Sequence, residues 1–187
     1  MAVEKGSEKW KLKKWFSVYA PEILGGSIIS EIPSADESNV IGRMIKVNMS
    51  WITNRAENAF TQVGLKITDV NGIAAHTQLK YMEQTYSYLH SLVRRHSTTI
   101  HTMERLSDRD KKGIVLKLLV VTHNKATTKK RTSIRKELAA FSKEYASGRS
   151  SSDIVKGIVD GSFQKEAAMR IRDICSVSKL ELKKIEL

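Results

Sequence analysis

The residues with the clearest chemistry lie between positions 125 and 136. Cations alternate there with hydroxyl side chains, and the residues assigned to an interface are Lys125, Lys129, Lys130, Arg131, Thr132, Ser133, Arg135 and Lys136. Both side-chain types hydrogen-bond phosphate oxygens, and each phosphate that a cation neutralises releases condensed counterions. The segment therefore predicts a nucleic-acid interface, and its clustering favours this over a solvated charged loop.

The positive charge of the chain is concentrated in the same region. The 187 residues include 32 Lys and Arg against 20 Asp and Glu, a formal net charge of +12. Residues 125–149 hold eight basic and two acidic side chains, so a surplus of six, half of the total, falls within 25 residues. A surface that is merely soluble mixes the two signs, whereas a local basic surplus attracts polyanions. Nucleic acid is the partner that this pattern favours.

Two further basic segments are predicted to add contacts: a lysine-rich arm at residues 1–14, and the end of a helix near residue 95. The arm has too few apolar residues to be ordered by burial. The tryptophan that follows it could stack on an unpaired base, but a place in the core is expected for it. The residues assigned in these segments are Lys11, Lys13, Lys14, Trp15, Arg94 and Arg95.

Residues suited to catalysis or metal binding form no convincing pattern, so we predict no catalytic residues, no metal and no other cofactor. The five histidines are scattered, and only His101 and His123 could meet, across a predicted hairpin. A nuclease built on these two residues and nearby lysines is a weak alternative, because no acid–base pair has a suitable spacing. Cys175, the single cysteine, has the helical spacing of a core residue, and Asp108 is expected to be a solvated loop charge.

Composition also limits where the protein is expected to work. A single cysteine cannot form an intramolecular disulfide, which fits a reducing compartment. The longest apolar run, residues 114–121, is interrupted by Lys117 and is too short to span a bilayer. We expect a cytoplasmic protein with no signal peptide and no membrane partner.

The first two thirds of the sequence are patterned mainly as strands. Strands are expected at residues 15–20, 27–32, 41–51, 63–70, 73–79, 98–106 and 113–122. The alternation in the third of these places Trp51 on a buried face. Asn71 and Gly72 are expected to be the central pair of a type I′ hairpin turn. The last of these strands is apolar on both faces, which predicts a central place in the sheet.

The remaining elements are mainly helices. An amphipathic helix is expected from residue 82 to about residue 94, and three more follow after residue 123. The first of these begins near residue 132, the second is capped by Ser152, and the third covers residues 163–174. Residues 180–187 are expected to form a closing strand.

These patterns predict an α+β fold: a β-barrel or a strongly curved, mostly antiparallel sheet flanked by helices. Behind the extended basic arm at residues 1–14, we expect one domain over residues 15–187. It is β-rich over residues 15–123 and mainly helical over residues 132–175.

Four segments match a known family in their order and spacing. They are Trp15-Phe16-Ser17-Val18-Tyr19-Ala20-Pro21, Gly42-Arg43-Met44-Ile45-Lys46-Val47, Ile67-Thr68-Asp69-Val70-Asn71-Gly72 and Lys129-Lys130-Arg131-Thr132-Ser133. Together they make the chain resemble the small-subunit ribosomal protein family of archaea and eukaryotes called S-three-Ae, or e-S-one. The compact length of the chain is similar to that of the archaeal members of this family.

The resemblance implies a non-enzymatic structural constituent of the small ribosomal subunit, bound to the ribosome in the cytoplasm and supporting translation. It implies binding to rRNA on the platform of that subunit, near the 3′ end of the rRNA and the mRNA exit. The implied partners are small-subunit rRNA and neighbouring platform ribosomal proteins, with mRNA near the exit site as a further contact. The same composition suits an RNA-binding translation factor or RNA chaperone that associates with the ribosome transiently, and this alternative stays open.

Overall fold

A computed structural model describes residues 13–109 and 112–187, and the chain divides into two compact units, Met1–Lys80 and Tyr81–Leu187. The boundary lies within one long strand, so that strand contributes residues to both units. Most of the predicted basic arm lies outside the described residues, and Lys14 is already the first residue of a strand. The single domain expected over residues 15–187 stays a prediction.

The first unit is built mainly from strands. Its elements are β1 (Lys14–Tyr19), β2 (Ile28–Ser34), β3 (Met44–Asn48), α1 (Met49–Thr53), β4 (Thr61–Asn71) and the start of β5 (Ala74–Gln84), with 3-10 helices at Glu22–Leu24 and Ala56–Phe60. β1 pairs antiparallel with β2 and parallel with β5, while β4 pairs with β3 and β5. Alternate residues point inward, and Phe16, Val18, Ile67 and Ala75 belong to one buried apolar cluster.

The second unit combines the end of β5 with three more strands and four helices. Its further elements are α2 (Tyr86–Ser91), β6 (Thr99–Ser107), β7 (Gly113–Thr122), α3 (Thr128–Ser147), α4 (Ser151–Val159), α5 (Ser162–Arg172) and β8 (Val177–Glu186). β8 pairs antiparallel with β5 and β7, and β7 pairs antiparallel with β6. β7 therefore lies between two strands, as its apolar residues predict.

Two helices of the second unit, α3 and α5, pack on its strands through their apolar sides. α3 contacts β6, and α5 contacts β8 and α3. Phe141 and Tyr145 of α3 meet Phe163 of α5, and the rings of Tyr145 and Phe163 cross edge to face with centroids 5.0 Å apart. Such aromatic contacts add to the free energy gained by burial. They fix how α3 is rotated about its axis.

The predicted α+β class, with a mostly antiparallel sheet and flanking helices, is confirmed. The described strands follow the order β2-β1-β5-β8-β7-β6, with β3 and β4 joined to this path through β5. The described strands do not close into a barrel, so of the two forms expected the mostly antiparallel sheet is found, and its strong curvature stays a prediction.

The strand expected over residues 41–51 is shorter, because the side chain of Asn48 ends it. Asn48 Oδ1 accepts a hydrogen bond from the backbone N–H of Ser50 at 3.1 Å, and its Nδ2 donates to the Ala59 carbonyl at 2.7 Å. This cap begins α1, which removes Trp51 from the alternation of the strand. Trp51 is 75% exposed, so the buried position expected for it is wrong.

Two other expectations fail at the ends of β5. The expected helix begins only at Tyr86, because Met82 pairs with Ile185 of β8, a long-range contact that local periodicity cannot register. At the other end, Asn71 is the last residue of β4, and Gly72 opens the turn with a φ of 61°. Positive φ at the first of the two turn residues is typical of a type II′ turn, not of type I′.

The start of α4 is fixed by two side chains that the sequence analysis misjudged. Ser150, not Ser152, is the N-cap, and its Oγ accepts a hydrogen bond from the backbone N–H of Asp153.

Asp108 is buried rather than solvated. It accepts hydrogen bonds from the Lys112 backbone N–H at 2.8 Å and from the hydroxyl of Ser151, in the first turn of α4. A buried carboxylate needs such donors to offset its desolvation.

Candidate nucleic-acid interface

The basic segment forms the first turns of α3 rather than the loop in front of it. The helix begins at Thr128, about one turn earlier than expected, and Thr127 before it is extended, with φ −66° and ψ 161°. Arg131 supports the early start, because its Nε donates to the Ala126 carbonyl at 3.1 Å. Five of the six cations of this segment are therefore held on a rigid helix.

The buried side of α3 decides which cations face solvent. Its apolar residues recur every three or four positions, and the largest of them are Ile134, Leu138, Phe141 and Tyr145. At 3.6 residues per turn, the opposite side carries three lysines spaced seven residues apart. We call Lys129, Lys136 and Lys143 the lysine row. All three are exposed, and the row extends about 21 Å along the helix.

The lysine row is a strip of one sign of charge. Within the described part of the chain, no carboxylate lies within ion-pair distance of any of its three ammonium groups. The two acidic residues of α3, Glu137 and Glu144, contact Arg170 of α5 instead, at 3.6 and 2.8 Å. The negative charge of α3 is thus compensated from within the unit, and the positive charge faces outward.

Lys143 was missed in the sequence analysis. It lies outside the dense basic block that ends at Lys136, so charge density alone does not identify it. The signal that identifies it is the seven-residue spacing from Lys129 through Lys136, which becomes informative once the helix and its buried side are known.

The two hydroxyls assigned to phosphate binding already donate hydrogen bonds within the helix. Thr132 Oγ1 donates to the Thr128 carbonyl at 3.1 Å, and Ser133 Oγ donates to the Lys129 carbonyl at 3.2 Å. Both side chains are exposed, so a phosphate that approached them would compete with a helix carbonyl for the hydroxyl proton.

The structure brings Lys125 and the turn containing Arg94 and Arg95 close to each other in the second unit. Thr98, just after the turn, accepts a hydrogen bond through its Oγ1 from the backbone N–H of Ala126 at 3.0 Å. All three cations are exposed. Together they place three further positive charges beside the start of α3.

The remaining assigned residues belong to the first unit or to the undescribed arm. Lys13, Lys14 and Trp15 are exposed, and Trp15 is 55% exposed, so the core position expected for it is wrong. Lys14 lines a cavity of about 390 Å³ together with two acidic side chains, which weaken its attraction for a phosphate. Lys11 lies outside the described residues.

Burial and nearby cations shift the pKa of His101 on β6. Partial burial lowers the pKa of His101 below its ordinary value, and the charges of Lys183 and Arg135 lower this pKa further. In the hairpin register His101 lies opposite Leu119, so the β6–β7 pairing does not join it to His123.

Over residues 13–109 and 112–187, no three His, Cys, Asp or Glu side chains are grouped as a metal site would require. Across the same residues, no helix combines the length and apolar character needed to cross a membrane.

Comparison with known proteins identifies the family of the chain. The model of the ribosomal S3Ae family matches residues 2–187. The chain is 29% identical to the small ribosomal subunit protein eS1 of Pyrobaculum neutrophilum over 180 residues, which cover 96% of the chain and 81% of that relative. It is 27% identical to the protein of the same name from Methanoculleus marisnigri over 180 residues, 96% and 91% of the two chains. For the one from Archaeoglobus fulgidus the identity is 30% over 182 residues, 96% and 86% of the two chains. The chain belongs to the ribosomal S3Ae family, the family that the sequence motifs indicated.

Proposed function

We propose that the protein is a non-enzymatic structural constituent of the small ribosomal subunit, held there by rRNA phosphates that bind the outer side of α3. The observation that carries this proposal is the lysine row. It presents three exposed lysines on the side of the helix opposite its buried residues. Membership of the S3Ae family supports the same proposal, since the relatives are named as small-subunit proteins.

In this account the second unit is a rigid support for α3, and the affinity comes mainly from the phosphate backbone. The cations beside the start of α3, including Lys125, Arg94 and Arg95, add contacts to those of the row. Such contacts give little specificity for the RNA sequence, because side chains cannot enter the deep, narrow major groove of A-form RNA. The shape of the rRNA and its unpaired segments therefore select the place of binding. From the family we propose the subunit platform near the rRNA 3′ end and the mRNA exit, beside other platform proteins.

Salt dependence of RNA binding tests the role of the lysine row. Lys129→Ala, Lys136→Ala and Lys143→Ala are combined in one variant, and its affinity for a small-subunit rRNA fragment is measured over a range of monovalent salt. Each lost phosphate contact should make the slope of log K against log salt shallower by about 0.7 to 0.9, hence by roughly 2 to 3 for three contacts. The affinity at low salt should fall in parallel.

The matched control removes the same net charge from exposed lysines elsewhere in the second unit. Lys156→Ala, Lys165→Ala and Lys179→Ala serve this purpose, because all three side chains are exposed and none lies on α3. The control should retain the slope of the wild-type protein. Equal slopes for the two triple variants would contradict the assignment of the lysine row and would indicate a response to net charge alone.

A further inference from the structure

Two exposed aromatic side chains of the first unit are not explained by the lysine row. Trp51 on α1 is 75% exposed and Phe60, at the end of the 3-10 helix that follows, is 50% exposed. Exposed tryptophan is costly in water and is enriched where proteins bind other molecules. Both residues lie in the connection between β3 and β4.

This connection is held rigid by hydrogen bonds at both ends. Asn48 caps α1 and also donates to the Ala59 carbonyl at 2.7 Å, which ties the helix to the residue before Phe60. Asn58 Nδ2 donates to Thr53 Oγ1 at 3.1 Å across the same loop. A side chain on a rigid segment loses little conformational entropy when it binds a partner, so Trp51 is preorganised for binding.

The charges near Trp51 in the sequence favour an anionic partner. Between residues 43 and 66 there are four basic residues and one acidic residue. Lys46 of β3 lies opposite Gly64 and Met44 lies opposite Lys66, so Lys46 and Lys66 are diagonal neighbours on one face of the pair. Both lysines are exposed, and the strand that carries Lys46 runs directly into the cap of α1.

We propose that Trp51 is a stacking surface for an unpaired RNA base, with Lys46 and Lys66 binding the phosphates of the same strand. An aromatic ring beside a line of cations is the arrangement by which proteins hold single-stranded RNA: bases stack on the ring and the cations follow the backbone. A protein partner would meet the same cations without the compensating phosphates. The proposal rests on the proposed function for the identity of the nucleic acid, but it assigns a second site in the other unit.

Binding of a short unpaired RNA tests the stacking role. The affinity of the full chain for a single-stranded oligonucleotide and for a blunt duplex is measured for the wild-type protein, Trp51→Ala and Trp51→Phe. Trp51→Ala should weaken single-strand binding by about 5- to 150-fold, the range that loss of one stacked base gives. Trp51→Phe should retain most of the affinity because it keeps a ring. Duplex affinity should not change, and RNA should quench the fluorescence of Trp51.

The control is Met169→Ala, which shortens an apolar side chain that is 70% exposed on α5 and should leave both affinities unchanged. Thermal melting of each variant confirms that it is folded. Loss of stacking should leave the salt slope intact, whereas loss of the lysine row lowers it, so failures of the two proposals are distinguishable. Unchanged single-strand affinity in Trp51→Ala would overturn the stacking site. A fluorescence change produced only by other small-subunit proteins would also overturn it and would assign the surface to a protein.

Discussion

The guanidinium of Arg170 on α5 lies 2.8 Å from the carboxylate of Glu144 on α3, and it also contacts Glu137 at 3.6 Å. The two glutamates are seven residues apart, so one arginine compensates both acidic charges of the basic helix. The same guanidinium lies 5.6 Å from the centre of the Phe141 ring. The contact lies beside the aromatic packing that fixes the rotation of α3, and the lysine row faces solvent.

Replacing this arginine should affect RNA binding more than stability. Exposed ion pairs contribute about 0 to 1 kcal/mol, so Arg170→Ala should lower the free energy of unfolding by no more than about 1 kcal/mol. It should, however, leave two uncompensated carboxylates beside the lysine row and weaken RNA binding at low salt. Adding Glu137→Gln and Glu144→Gln should restore the affinity. If Arg170→Ala binds rRNA as the wild-type protein does, the charge arrangement described for α3 is irrelevant to binding.

Gly157 on α4 should not tolerate a methyl group. A Cβ at this position would collide with the Tyr145 hydroxyl and lie 3.2 Å from Ser162 Oγ, and the Tyr145 ring is held between Phe163 and Arg149. We expect Gly157→Ala to lower the free energy of unfolding by about 1 to 3 kcal/mol, despite the better helix propensity of alanine.

The control for this substitution is Gly148→Ala. Nothing lies within 4 Å of a Cβ at Gly148, and its φ of −99° suits alanine. It should be neutral or stabilise by up to about 1 kcal/mol. Equal denaturation midpoints for the two alanine variants would show that α4 and Tyr145 do not pack as described.

Replacing Ser142 with alanine should stabilise the protein. Its side chain is fully buried on α3 and its Oγ has no hydrogen-bond partner among the described residues. An unpaired buried hydroxyl is destabilising, and alanine also has the higher helix propensity. We expect Ser142→Ala to raise the free energy of unfolding by about 1 kcal/mol in chemical denaturation. By contrast, Leu138→Ala, one turn earlier on the same helix, should lower it by about 2 to 5 kcal/mol. A loss of stability in Ser142→Ala would mean that the hydroxyl has a partner.

Tyr88 should ionise at unusually high pH. Burial, together with the Glu181 carboxylate that accepts a hydrogen bond from the Tyr88 hydroxyl at 3.1 Å, raises the pKa of Tyr88 to about 12. Because the folded state binds this proton more tightly than the unfolded state, the stability it contributes is fully present below pH 10. It is lost as the pH rises from about 10 to 12.

Tyrosinate absorbance measures this ionisation directly. The difference between the titrations of the wild-type protein and Tyr88→Phe should have a midpoint well above 10, and Glu181→Gln should move that midpoint downward. A difference titration that is complete by pH 10.5 would contradict the contact between Tyr88 and Glu181.

Much of the strand pattern could be predicted because it depends on local alternation and turns. β6 and β7, for example, lie within one residue of the ranges that their β-rich runs and the turn between them predict. The errors occur where a single side chain or a distant strand overrides the local signal. Asn48 ends β3 by capping the next helix, and pairing of Met82 with β8 extends β5 into a segment with helical spacing.

The candidate site was predictable as a region but not as a surface. The cluster at residues 125–136 is visible in the sequence, since charge density needs no knowledge of structure. Which cations face outward depends on the rotation of α3, and that is fixed by long-range packing of residues such as Phe141 against α5. Lys143 was missed for this reason, and Trp51 was missed because local alternation does not show the Asn48 cap. Their exposure depends on elements whose ends and contacts the sequence did not reveal.

The central claim is that the protein is a stable part of the small subunit and is held there through the lysine row. Sedimentation of a native lysate through sucrose gradients containing magnesium and increasing monovalent salt tests it most directly, with the chain quantified against small-subunit rRNA. We predict that the wild-type protein stays in the small-subunit peak at constant stoichiometry at high salt. The variant lacking Lys129, Lys136 and Lys143 should leave that peak at lower salt than the Lys156, Lys165 and Lys179 control. Release of the wild-type protein to the top of the gradient, with association only at low salt, would contradict the claim and favour a factor that visits the ribosome transiently.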